Sequence, residues 1–329
     1  MAVRRRTEDD RFTLGPRAMR YDRLGFPIPP DFDGPALVER TERTQRTGRP
    51  GGRPGRGKRL IVIGLLAAVI GPGLVAPALL PMAREFVVGS ALRRAYGCEA
   101  RGQSAAAIGA VGRALAWSDD PVLAIDLLCW RAMLRLDTGD VTGAGDDATR
   151  AIELAPTAAR PRRLRALVHV VLSRPDDALA DAEAAVDLST PGDPEALNHR
   201  AYVRGLVGRD LPQALADIDA ALAGEADPTP ELLDTRGYLL HLLGRQQEAI
   251  DHLNLAIAGA EGRRRDAVER ARAGDHVGAA RELRILDRDL AVMHHHRGLA
   301  CRAVGLAGQA EQDLAIAEQK GYDPSRGVM

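Results

Sequence analysis

Three consecutive histidines, His294, His295 and His296, are the residues of this chain that most invite chemistry. Histidine is a common zinc ligand, but neighbouring residues of a helix project about 100° apart, so a run of three cannot close on one ion. No other histidine stands three or four residues away with a carboxylate in support, and no metal or cofactor is expected. Cys98, Cys129 and Cys301 are an odd, scattered set without a C-x-x-C, which fits neither a disulfide framework nor a zinc site. They read as small, buried apolar residues. The chain has no G-x-S-x-G, P-loop or H-E-x-x-H motif and no paired-carboxylate constellation, so no catalytic residue is expected and the chain does not read as an enzyme.

One charged pattern is periodic. Arginine recurs at 94, 131, 165, 200, 236 and 297, and aspartate at 147, 181, 217 and 313, sixteen or seventeen residues after four of those arginines. Such a ladder either binds an acidic ligand or pairs internally. Arg–carboxylate geometry favours internal pairing, provided each aspartate lies on a helix that returns alongside its arginine.

That requirement leads to the elements. Aromatic residues make up 3% of the 329-residue chain, which suits closely packed helices better than a sheet. Alanines recur in pairs seven apart: 107 and 114, 144 and 151, 178 and 185, 214 and 221, 249 and 256, 310 and 317. The first members are separated by 37, 34, 36, 35 and 61 residues. Another small residue stands twelve before most of them, at Ala95, Ala132, Ala166, Gly237 and Gly298, and thirteen before in the fourth unit, at Ala201. Glycine marks the turn between at 102, 139, 208, 244 and 305. A repeat of this length with two apolar-striped helices per unit is the mark of a helical solenoid. The small residues let backbones approach where a larger side chain would overpack.

These residues resemble the tetratricopeptide repeat (TPR), with the closest units at 231–260 and 293–324, and with "AIELAP" ending at Pro156 as in that family's close. The chain departs from the pattern in having Leu, Val or Cys for most first-helix aromatics, and "SRPDDA" as the third turn. The resemblance implies an all-α solenoid whose inner face binds protein partners. It places Tyr96, Met133, Tyr202 and Tyr238 on the groove side, with Trp130, Asn198, His199, Asp234, His295 and His296 nearby. Amphipathic rings on a concave surface suit a peptide groove; the same rings would also seal seams between repeats, and both readings stand. The Asn and Lys set that clamps carboxylates in some members is not recognisable. The long last interval holds an extra helical pair or an extended helix, with Leu283, Leu286, Leu290 and Met293 on one face.

Ahead of the repeats, residues 60–83 carry no charge and, at about 1.5 Å per residue, span roughly 36 Å as a helix, enough to cross a bilayer. Seven basic residues lie between Arg43 and Arg59, which orients the N-terminus to the cytoplasm and the solenoid to the other side. Acidic and basic residues balance at 45 each, so no global field draws the chain to nucleic acid, and no specific nucleic-acid binding is expected. The expected organisation is a disordered basic Pro/Gly-rich tail over 1–59, a transmembrane helix over 60–83 in contact with lipid, and a TPR-like solenoid of about six units over 90–324 with an inserted helical segment at 261–292. "YDRLGFPIPPDFDG", residues 21–34, reads as an extended linker, with a short docking motif as the alternative. The expected function is a membrane-anchored, non-catalytic scaffold for protein partners; the alternative is an accessory or regulatory module of a membrane-associated enzyme complex.

Overall fold

The computed structural model describes residues 20–21, 27–28 and 72–323. The rest of the 1–59 tail and residues 60–71 of the expected membrane span lie outside them. Within the tail, β1 (Arg20–Tyr21) and β2 (Pro27–Ile28) form a short antiparallel ribbon, with Arg20 opposite Ile28, and β2 packs against the first helix. The linker reading of 21–34 did not anticipate that ribbon. Residues 72–83 enter that first helix, and among the described residues no helix is long and apolar enough to cross a membrane.

Twelve helices are described. They are α1 (Pro72–Ala100), α2 (Ser104–Trp117), α3 (Pro121–Asp137), α4 (Val141–Leu154), α5 (Ala159–Val171), α6 (Pro175–Asp187), α7 (Pro194–Val207), α8 (Leu211–Ala223), α9 (Pro230–Leu242), α10 (Gln246–Arg272), α11 (His276–Ala303) and α12 (Ala307–Gln319). They pack as consecutive antiparallel pairs, α1 with α2 through α11 with α12, in a TPR-like solenoid. Local sequence sets the boundaries. Asp120, Asp140, Asp193 and Asp275 cap helix starts by accepting backbone N–H groups, and proline opens α3, α6, α7 and α9. The turn glycines take positive φ; in the third unit Ser173 occupies that left-handed position, with φ 55°.

The paired alanines lie in the core, each at most 2% exposed. Gly237 shows why the opposite position must also be small. A Cβ there would stand 2.6 Å from Leu253 Cγ and 3.2 Å from the Ala249 carbonyl oxygen. Gly298 repeats the arrangement against Leu314 and Ala310.

The long interval is resolved as two extensions. α10 runs on beyond its repeat helix and α11 begins ahead of its own, so that together they span 261–292, joined by a turn at Gly274 with φ 111°. Ala260, Ala267, Ala279, Leu286 and Leu290 are buried along this extended hairpin. It contacts α9 at one end and α1 at the other, so it crosses from the last units back to the first.

Candidate functional site

The first helices of successive pairs, α3, α5, α7, α9 and α11, touch one another and so define the inner face of the solenoid. The N-terminal part of α11 lies across the ends of that face as a strap. The candidate groove residues fall into two clusters beneath or beside it, with three residues between.

The first cluster is at the start of the solenoid. Tyr96 from α1 and Trp130 from α3 are buried with ring centroids 4.9 Å apart. Arg281 of the strap places its guanidinium carbon 5.0 Å from the Tyr96 ring centroid and 5.8 Å from that of Trp130. Glu99 Oε2 accepts from Trp130 Nε1 at 3.0 Å and from Arg281 Nε at 2.7 Å. Seven residues on, Arg288 Nη1 donates to both oxygens of Asp137 at 2.8 and 2.9 Å.

The second cluster joins the last three units. Tyr202 meets Tyr238 at 6.2 Å, and Tyr238 stacks on His296 at 4.2 Å with planes 17° apart. His296 Nδ1 donates to Asp234 at 2.9 Å, and both residues are buried. His295 turns to Tyr322, 4.3 Å away, and His294 Nδ1 donates to Asp313 at 2.8 Å. The three histidines thus serve three separate partners. Among the described residues no His, Cys, Asp or Glu group could hold a metal ion. Burial pushes the Tyr238 hydroxyl up to about 12 and the Tyr202 hydroxyl well above its ordinary value. Burial, with His296 beside it, lowers His295 to about 4. Asp289 of the strap faces this cluster, and burial raises its carboxyl to about 7, with Glu231 and Asp234 adding to the rise against Arg288 and Arg263.

Between the clusters, Met133 packs at the seam of the first two units. Asn198 and His199 lie on α7; neither ring nitrogen of His199 has a hydrogen-bond partner among the described residues, and burial with nearby Arg163 lowers the ring to about 3. Tyr238 on His296 seals an inter-repeat seam, whereas Tyr96 and Trp130 receive the Arg281 side chain from α11.

The arginine ladder is internal in four units. Arg131, Arg165, Arg200 and Arg297 each grip Asp147, Asp181, Asp217 and Asp313 through two nitrogens at 2.5–2.8 Å. Hydrogen bonding to Asp181 holds the Arg165 guanidinium above its ordinary value. Burial alone would raise the Asp313 carboxyl, but hydrogen bonds from Arg297 and His294 outweigh it and hold it down. Second cations reinforce the pattern one turn on: Arg135 donates to Asp147 at 2.7 Å and Arg204 to Asp217 at 2.8 Å. In the fifth unit His252 replaces the aspartate, and Arg236 pairs with Asp219 at 2.8 Å and with His252 instead. Arg94 is exposed, and the residue sixteen on is Ala110.

The cysteines are free and buried, and burial pushes the Cys129 thiol up to about 11. Glu99, Asp137, Arg281, Arg288 and Asp289 were not read from the sequence as site residues. The heptad spacing of Arg281 and Arg288 was the available signal, yet nothing local ties them to acids 182 and 151 residues away.

No family model matches the sequence, and no curated protein matches it. Solved structures similar to it include a tetratricopeptide repeat protein from Parabacteroides merdae, 19% identical over 72% of this chain and 94% of that one, with a TM-score of 0.43. A thermophilic TPR protein from Thermus thermophilus, TTC0263, is 24% identical over 53% of this chain and 92% of its own, at 0.46. PilW, a type IV pilus biogenesis factor, is 18% identical over 61% of this chain and 96% of its own, at 0.38.

Proposed function

We propose that the chain is a non-catalytic scaffold, held at a membrane by 60–83, whose solenoid binds protein partners on its inner face. The observation that carries this reading is the strap itself. A helix is already seated against that face, by a guanidinium over two rings and by two ion pairs, so the face has the chemistry to hold a helix. For the membrane part, the support is the uncharged run with its basic flank, the exposed Leu79, Leu80 and Met82 at its end on α1, and exposed Phe86 just beyond it. The partner itself is unidentified.

The test has two arms on the full chain. A reporter active only outside the cytoplasm, fused after Met329, is expected to be active; a C-terminus that stays cytoplasmic refutes the orientation. Photo-reactive residues placed singly at exposed sites along the solenoid are expected to give discrete adducts with another protein in the native membrane. A scan that gives no adduct at any site refutes the scaffold.

A further inference from the structure

The cluster around Glu99 has the form of a built receptor for one side chain. Glu99 Oε2 is aimed by Trp130 Nε1 and by the Arg281 Nε it accepts. Two rings present their faces to the same guanidinium. Arg281 is 4% exposed, so the notch encloses it almost fully. Arg288 meets Asp137, and the Arg284 guanidinium lies against the backbone at Gly102. Three arginines at 281, 284 and 288 thus share one face of the strap. The sockets of Arg281 and Arg288 gather where α1 and α3 end, at Ala100 and Asp137, and the negative end of a helix dipole favours cations, while Arg284 stays exposed beside Gly102.

The hold of the strap on the first units is mostly polar. Among its apolar residues Val277 packs on the core cluster that contains Tyr96 and Trp130, whereas Leu290 and Met293 pack in a separate cluster with Ala256 and Ile257 of α10. At the first units, lifting the strap would exchange the charge-assisted contacts of Arg281 and Arg288 and the packing of Val277, and a helix offering the same arginines would replace those contacts.

We propose that Tyr96, Glu99, Trp130 and Asp137 form a recognition site for a partner-protein helix bearing arginines at positions i and i+7, and that the strap is its resident competitor. This rests on the scaffold reading and specifies which part of the inner face is used. An acidic notch disfavours nucleic acid and acidic peptides, so a basic amphipathic helix is the occupant. A tethered competitor acts at an effective concentration in the millimolar range, so it masks any helix of similar strength added in solution at micromolar levels.

The experiment uses the full chain in mild detergent and, as probe, a synthetic peptide of residues 276–292. The R281A/R288A chain, with its strap disarmed, is expected to bind the peptide at least about tenfold tighter than the unaltered chain does. Adding E99Q to that chain is expected to remove most of the gain, as is replacing the first peptide arginine by glutamine. Equal binding by the unaltered and disarmed chains, or a gain indifferent to E99Q, overturns the proposal. If R281A/R288A fails to fold, R281K keeps the charge and loses the flat stacking group. Amide exchange over 276–292 is then expected to rise at least about tenfold with the rest unchanged; unaltered exchange overturns the proposal. A chain that keeps its cross-linked partners with E99Q in place retains the scaffold reading and loses this site.

Discussion

Replacing Gly237 by alanine reverses the usual helical rule. In an exposed helix interior, Gly→Ala stabilises by about 0.5–1 kcal/mol through propensity and unfolded-chain entropy. At Gly237 the added carbon would stand 2.6 Å from Leu253 Cγ, 3.0 Å from its Cδ2 and 3.2 Å from the Ala249 carbonyl oxygen. Leu253 is fully buried and cannot swing away, so either its rotamer or the α9–α10 spacing must give. Overpacking of this kind costs about 1–3 kcal/mol, and subtracting the propensity gain leaves a net loss of up to roughly 2.5 kcal/mol. Gly109 on α2 is the internal control: it is exposed, and a Cβ there meets nothing within 4 Å. G109A is therefore expected to raise the melting temperature and G237A to lower it, with about 2–4 °C for each kcal/mol in a structured region of this size. Because repeat arrays can unfold in pieces, amide exchange in α9 and α10 gives the local readout beside circular dichroism melting. A G237A chain stabilised as much as G109A refutes the close-approach argument.

Two further outcomes follow from the charges. Removing the Asp181 carboxylate leaves Arg165, about a quarter exposed, without its bidentate partner, and D181A is expected to cost about 1–3 kcal/mol, less than for a wholly buried pair. The R165A/D181A double variant is expected to cost less than the sum of the single changes, and strict additivity in denaturant melts refutes the pairing. Asp289 titrates near 7 when folded and near 3.9 when unfolded, so the folded state holds the extra proton between those values. Its contribution is then fully present below about pH 4 and lost as pH rises through 7. His199 and His295, lowered by burial, act in the opposite sense between about pH 3 and 6.5. The groups facing Asp289 are Glu231 and Asp234 on α9, Arg263 on α10, Tyr202 on α7 and neighbouring Arg288. Strap amides, corrected for intrinsic exchange, are expected to open more at pH 8 than at pH 5, and D289N to shrink that difference; an equal difference in D289N refutes the assignment.

Much of the solenoid was legible because each of its rules is local. Small residues seven and twelve apart mark helix contacts, glycines mark turns, and an aspartate sixteen residues after an arginine marks a hairpin partner. All of these recur within one repeat, so Ala249, Gly237 and Arg165 revealed their roles without any knowledge of the rest. The strap obeys no such rule. The helix leading to it, α10, runs unbroken through Gly259 and Gly262, where propensity is weakest, because burial of Ala260, Ala267 and Leu286 along the hairpin offsets that cost. Its anchors join residues far apart in the chain, Glu99 to Arg281 and Asp137 to Arg288. The candidate groove residues were found by their place in the repeat. That several of them face a helix of the same chain follows from long-range packing alone.

The central claim, that α11 closes the solenoid by returning to its first units, is tested most directly by pulsed electron paramagnetic resonance. Spin labels would be placed at exposed Thr138, just after α3, and exposed His276, at the start of the strap. The account predicts one short, narrow distance distribution in the full chain, broadening to longer distances when Glu99 and Asp137 are changed to glutamine and asparagine. A broad, long distribution in the unaltered chain contradicts it.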